Sequence, residues 1–123
     1  MTVADPARTR LPDRRPNMTR QIAWRGHAIA VSVGYDPVSG AAREVFASGP
    51  LFGSDVQAVI DDACVVISLA LQHGACPAAL SRSLGTVPSP REPDVDDPSS
   101  VIGAIMNVII SEAEQAPILK EQS

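Results

Sequence analysis

The sequence predicts an α+β fold, a three-stranded antiparallel β-meander packed against a long central helix, a short helix and a C-terminal helix. Three observations predict it. Residues 54–73 place apolar side chains at helical spacing, residues 21–48 alternate with a period of two, and residues 98–115 return to the helical period. The length of 123 residues suits one small domain. Its core must be aliphatic, because aromatic side chains make up only 3% of the chain.

Residues 1–20 are expected to form a flexible arm, since they hold three prolines and no hydrophobic period. Strands are expected at about 21–25, 27–35 and 41–48. Arg25-Gly26 reads as a two-residue hairpin turn with Gly in second place. In the second strand the larger side chains of His27, Ile29, Val31, Val33 and Tyr35 alternate with Ala28, Ala30, Ser32 and Gly34, so the odd positions should face the helices. Asp36-Pro37-Val38-Ser39-Gly40 has the composition of a turn.

The central helix, at about 54–73, is the element around which the chain is organised. Val56, Val59, Ile60, Ala63, Ile67, Ala70 and Leu71 recur at i, i+3, i+4 and i+7 and form one apolar face. Val65, Val66 and Leu69 extend it almost all the way round, which predicts burial on most sides of the C-terminal half. Ser54 and Gln57 have capping-box spacing, and Gly74 supplies a left-handed stop. A short helix follows at about 77–84, opened by Pro77. Residues 86–97 read as a loop, and the last helix, at about 98–115, is capped by Asp97 and faces the core with Val101, Ile102, Ile105, Met106, Ile109 and Ile110. Gly103 inside it is unfavourable unless a neighbour needs close approach. Together, residues 21–115 make a single domain, and 116–123 a tail.

The net charge of −4 conceals an asymmetry. Residues 1–20 carry five Arg against two acids, whereas 21–123 carry five basic groups against twelve acids. The body is therefore a poor surface for nucleic acid, and phosphate or partner contacts are expected only from Arg8, Arg10, Arg14 and Arg15. Cys64 and Cys76 lack metal-ligand spacing and form no disulfide framework. No apolar run spans a bilayer and no signal peptide is visible, so a reducing cytoplasm is expected and membrane attachment is not. No cofactor is called for.

Candidate catalytic groups are sparse. His73 sits at a helix C-terminus, where an imidazolium is favoured by the dipole. His27 has no nucleophile beside it in sequence. Cys76, before Pro77, lies where a helix N-terminus lowers a thiol pKa, although a simple cap role outweighs reactivity. Asp61 and Asp62 are adjacent, so they point about 100° apart on a helix and do not form a carboxylate pair. The Gly-Pro-Leu-Phe-Gly-Ser run before the central helix offers backbone amides to an anion, which Asp55 disfavours.

The order of these features resembles the C-terminal domain of adenosylcobalamin-dependent (class II) ribonucleotide reductases, known as the TSCPD domain. The likeness covers about Arg10 to Leu84. Leu11-Pro12, Glu44-Val45-Phe46, Gly53-Ser54-Asp55 and Ile67-Ser68-Leu69-Ala70-Leu71-Gln72-His73-Gly74 carry it. Family members often have cysteines before the second strand, after the short helix and before the proline that opens the last helix. Here Arg25 and Asp97 stand at the first and last of these places, and residues 86–97 contain no Cys. A structural zinc site needs about four ligands, so none is expected. The chain is also too short for the reductase barrel. The resemblance implies a non-catalytic accessory module in deoxyribonucleotide and DNA synthesis, with a reductase catalytic chain as partner. A self-associating structural homo-oligomer is a second reading, because the apolar helix faces exceed what three strands can cover. A nucleotide or nucleic-acid binder using the arm is a further alternative. An enzyme subunit would have to work with a separate catalytic chain.

Overall fold

A computed structural model describes residues 8–49 and 53–114. The expected tail 116–123, the first seven residues of the expected arm and Pro50–Phe52 lie outside the described residues. Strands β1 (Asn17–Trp24), β2 (His27–Tyr35) and β3 (Ala42–Ser48) form an antiparallel sheet in the order β1-β2-β3. Trp24 pairs with His27 across a turn in which Arg25 has φ 48° and Gly26 φ 83°. Two successive positive φ angles make the tight mirror-image turn that matches strand twist. At the next turn the Asp36 carboxylate accepts hydrogen bonds from the amides of Val38 (2.8 Å) and Ser39 (3.2 Å). These amides favour the ionised form and hold the Asp36 pKa below its ordinary value.

Helix α1 (Ser54–Gln72) lies against β3, and helix α3 (Val101–Glu114) lies across the same sheet face. Between them in sequence come the short helix α2 (Pro77–Arg82) and a small hairpin of β4 (Thr86–Pro88) and β5 (Asp96–Pro98). The core joins Ile29, Val31, Val33 and Val45 of the sheet to Ile60 and Leu71 of α1 and to Ile105, Met106 and Ile109 of α3. The odd positions of β2 thus face the helices. The opposite sheet face carries Ala28, Ala30, Ser32 and the exposed Phe46.

Several boundaries differ from expectation. β1 begins at Asn17, not at 21, and residues 8–16 are tied to the domain: the Thr9 amide donates to Gln72 O (2.7 Å) and the Tyr35 amide to Pro16 O (2.9 Å). Residues 8–20 are therefore not a separate arm. The strand was hidden because Arg20 occupies an inward position, where its guanidinium reaches Glu112 of α3 (3.1 Å). Residues 86–98 include a hairpin whose prolines and three-residue strands concealed it. Asp97 pairs with Val87 in that hairpin, and Ser100 accepts the Gly103 amide at the start of α3 (3.3 Å). The last helix consequently opens at Val101, three residues late. Gly103 packs on Pro98, whose Cβ would lie 2.7 Å from an added methyl, and this close approach explains the glycine.

The capping box is not formed. Gly53 is the N-cap of α1 with no side-chain cap bond, and Gln57 instead donates to Ala47 O (3.0 Å) and Asp61 Oδ1 (2.8 Å). At the other end Ala75 N bonds to Ala70 O (3.0 Å) and Gly74 N to Leu71 O (3.0 Å), with Gly74 at φ 93°. This pair of bonds is the Schellman stop. His73 Nδ1 lies 2.8 Å from Leu69 O in the same last turn.

Candidate interaction surface

The four arginines expected to contact a ligand occupy different settings. Arg8 donates from Nε to Gln72 Oε1 (2.6 Å), and Arg43 donates to Leu71 O (2.6 Å) at the same end of α1. Cations beside the last carbonyls of a helix are favoured by its dipole. Arg15 is paired with Glu44 and also donates to Pro12 O (2.9 Å); the Glu44 carboxylate raises its pKa. Arg10 and Arg14 are exposed. Arg8 and Arg15 thus pin the N-terminal segment to the body, while Arg10 and Arg14 face solvent.

Cys64 is buried in α1, and burial pushes its pKa up to about 11. Cys76 is exposed before α2, where the amides of Ala79 and Ala78 lower its pKa. His27 opens β2 and is half-buried. Among the described residues, no group of three or more His, Cys, Asp or Glu side chains is placed to hold a metal ion. No helix of the described residues is long and apolar enough to cross a membrane.

The largest departure from expectation is the outward side of α1. Val65 is 55% exposed and Val66 66% exposed, so the C-terminal half of the helix is not buried on most sides. The physical reason is position. α1 covers the margin of the sheet along β3, and its inner side is shared by Ile60, Cys64 and Leu71 with a polar flank of Gln57, Ser68 and Gln72. Everything opposite meets solvent. On the flank between that inner side and solvent, Val56, Val59, Ala63, Val66 and Ala70 recur at alternating steps of three and four, the seam spacing of paired helices. Val59 is 62% exposed, and Ala63 and Ala70 are half-buried at the seam's edge. Single exposed apolar residues need no explanation, whereas several on one helix flank are of the kind that contact surfaces use. Asp55 and Asp62 lie on the same side, and Ser54–Gln72 contains no Lys, Arg or His. Those interleaved acids were the available sequence signal that this side meets water.

A family model described as the TSCPD domain matches residues 4–112. No curated protein and no solved structure matches the chain.

Proposed function

The chain belongs to the TSCPD domain family, the domain found in class II ribonucleotide reductases, and from that premise we propose that it is a non-catalytic interaction module of deoxyribonucleotide synthesis. The outward stripe of α1 carries the proposal. It offers a partner a ready apolar seam with small residues at Ala63 and Ala70, where a second helix backbone can come close. Its only charges are acidic, so the complementary surface is apolar and flanked by Lys or Arg. A reductase catalytic chain is the partner that the family relation supports.

Self-association through the same stripe is the second reading. An antiparallel pairing of two copies would bring Asp55 of each near His73 of the other. Calorimetric titration of a purified class II reductase catalytic chain separates the readings. The full chain is expected to bind, and the Val59→Asp/Val66→Asp variant to bind at least about tenfold more weakly while keeping its fold, because both positions are exposed. A monomeric chain that gives no binding heat with the reductase would overturn both.

A further inference from the structure

The sheet has two faces, and among the described residues one of them is bare. The helices cover the side that holds Ile29, Val31 and Val33. The other side is a floor of small side chains, Ala23 of β1 with Ala28, Ala30 and Ser32 of β2, beside which Phe46 of β3 stands 56% exposed. Register sets Thr19, Ser32 and Phe46 in one row across the three strands. The Thr19 and Ser32 hydroxyl oxygens lie 2.7 Å apart and bond to each other. The outward positions of 19–23, 28–32 and 46–48 hold no ionisable residue, and Glu44 at the margin of the face is paired with Arg15.

Helix α1 continues this face past the sheet's margin. Gln57 Nε2 donates to Ala47 O (3.0 Å) and the Val45 amide donates to Ser68 Oγ (2.9 Å), so Phe46 stands level with the turns of α1 between Gln57 and Ser68. At about 100° per residue, the core side chains Ile60, Cys64 and Leu71 lie to one side of Ser68, and Val65 and Leu69 lie to the other. There Val65 is 55% and Leu69 36% exposed. Phe46, Val65 and Leu69 thus form a raised apolar rim along one side of a flat, uncharged floor.

Knob and floor on one face make that face self-complementary, as a two-fold interface requires. Charge points the same way. The chain carries a net charge of −4, so copies repel one another, and an uncharged face is the least costly place for two of them to meet. The three strands and the adjoining flank of α1 present roughly 24 Å by 23 Å. Two copies therefore bury about 1,100 Å², just over the area of about 1,000 Å² that a specific contact needs.

We propose that a second copy of this chain packs on this face, sheet against sheet across a two-fold axis, with Phe46 of each copy seated on the small side chains of the other. The contact uses neither Val59 nor Val66, so it stands independently of the function proposed above.

Sedimentation equilibrium of the full chain tests it. The expected result is a monomer–dimer equilibrium with a dissociation constant below about 0.5 mM. That constant falls at least about twofold between about 0.05 M and 0.5 M salt, because salt screens the repulsion between like-charged copies. Phe46→Ser and Ala28→Lys, both at exposed positions, each weaken the dimer at least about tenfold while the far-ultraviolet circular dichroism of the fold is kept. Val59→Asp/Val66→Asp leaves the dimer in place. A chain that stays monomeric at about 0.5 mM, a dimer indifferent to Phe46→Ser and Ala28→Lys, or a dimer lost with Val59→Asp/Val66→Asp but kept with Phe46→Ser would each overturn the proposal.

Discussion

Replacing Gly34 with Ala tests the packing that ties the N-terminal segment to the sheet. Gly34 sits in β2 directly opposite Glu44 of β3, and the Glu44 side chain folds over it to accept from Arg15. A Cβ at Gly34 would lie 2.4 Å from Glu44 Oε1, 2.6 Å from its Cγ and 2.8 Å from its Cδ. All three distances are inside van der Waals contact, so the whole Glu44 side chain would have to swing away and release Arg15. Overpacking of this kind costs about 1–3 kcal/mol. Ala gains about 0.5–1 kcal/mol over Gly inside a strand, which leaves a net loss of up to about 2.5 kcal/mol. In a Glu44→Ala background the obstacle is gone, and Gly34→Ala should become stabilising by about 0.5–1 kcal/mol. Equilibrium urea unfolding of the four proteins in this cycle measures the coupling. An equal cost of Gly34→Ala in both backgrounds would refute the reasoning.

Other outcomes follow from the same structure. Gly103→Ala, which would stabilise an ordinary helix by up to about 1 kcal/mol, should instead destabilise this one, because the new methyl meets Pro98 at 2.7 Å; thermal unfolding decides the sign. Ser68→Ala removes the hydroxyl that accepts the Val45 amide and should cost about 1–2 kcal/mol in urea unfolding. The native protein should consume one equivalent of a thiol reagent at pH 8, at Cys76, and a second only when urea exposes Cys64. Alkali should destabilise the fold. The unfolded Cys64 thiol loses its proton near 9.0 while the native one keeps it to about 11. Between those values the unfolded state binds fewer protons, so stability falls by about 1.4 kcal/mol per pH unit. Stability is unaffected by this group below pH 9.0, and Cys64→Ala should flatten the slope above it.

The meander, the odd-numbered face of β2 and the stop at Gly74 were legible because each rests on local chemistry: alternation, turn residues and a positive φ. Helical periodicity likewise located α1, yet it misjudged what surrounds that helix. Periodicity reports which side chains are apolar, and among the described residues Val59 and Val66 are apolar yet mostly exposed. The neighbour is a tertiary fact, fixed by α1 lying at the β3 margin and not over the middle of the sheet. The start of β1 was lost for the opposite reason. Arg20 breaks the alternation at an inward position and is stable there because Glu112, 92 residues later, receives it. Arg8 and Arg15, read as ligand contacts, are held by Gln72 and Glu44, partners that no local pattern announces. The outer sheet face, too, became visible only once the register set Phe46 across from Ser32.

The proposed docking surface is the apolar stripe that includes Val59 and Val66 on α1. A photo-crosslinking amino acid placed at Val66, in the full chain mixed with a purified class II reductase catalytic chain, tests it most directly. An adduct with the reductase chain is expected from position 66 and none from the same label at Val38, which is 83% exposed on the turn after β2. Equal adducts from both positions, or none from position 66 while the two proteins co-sediment, would contradict it.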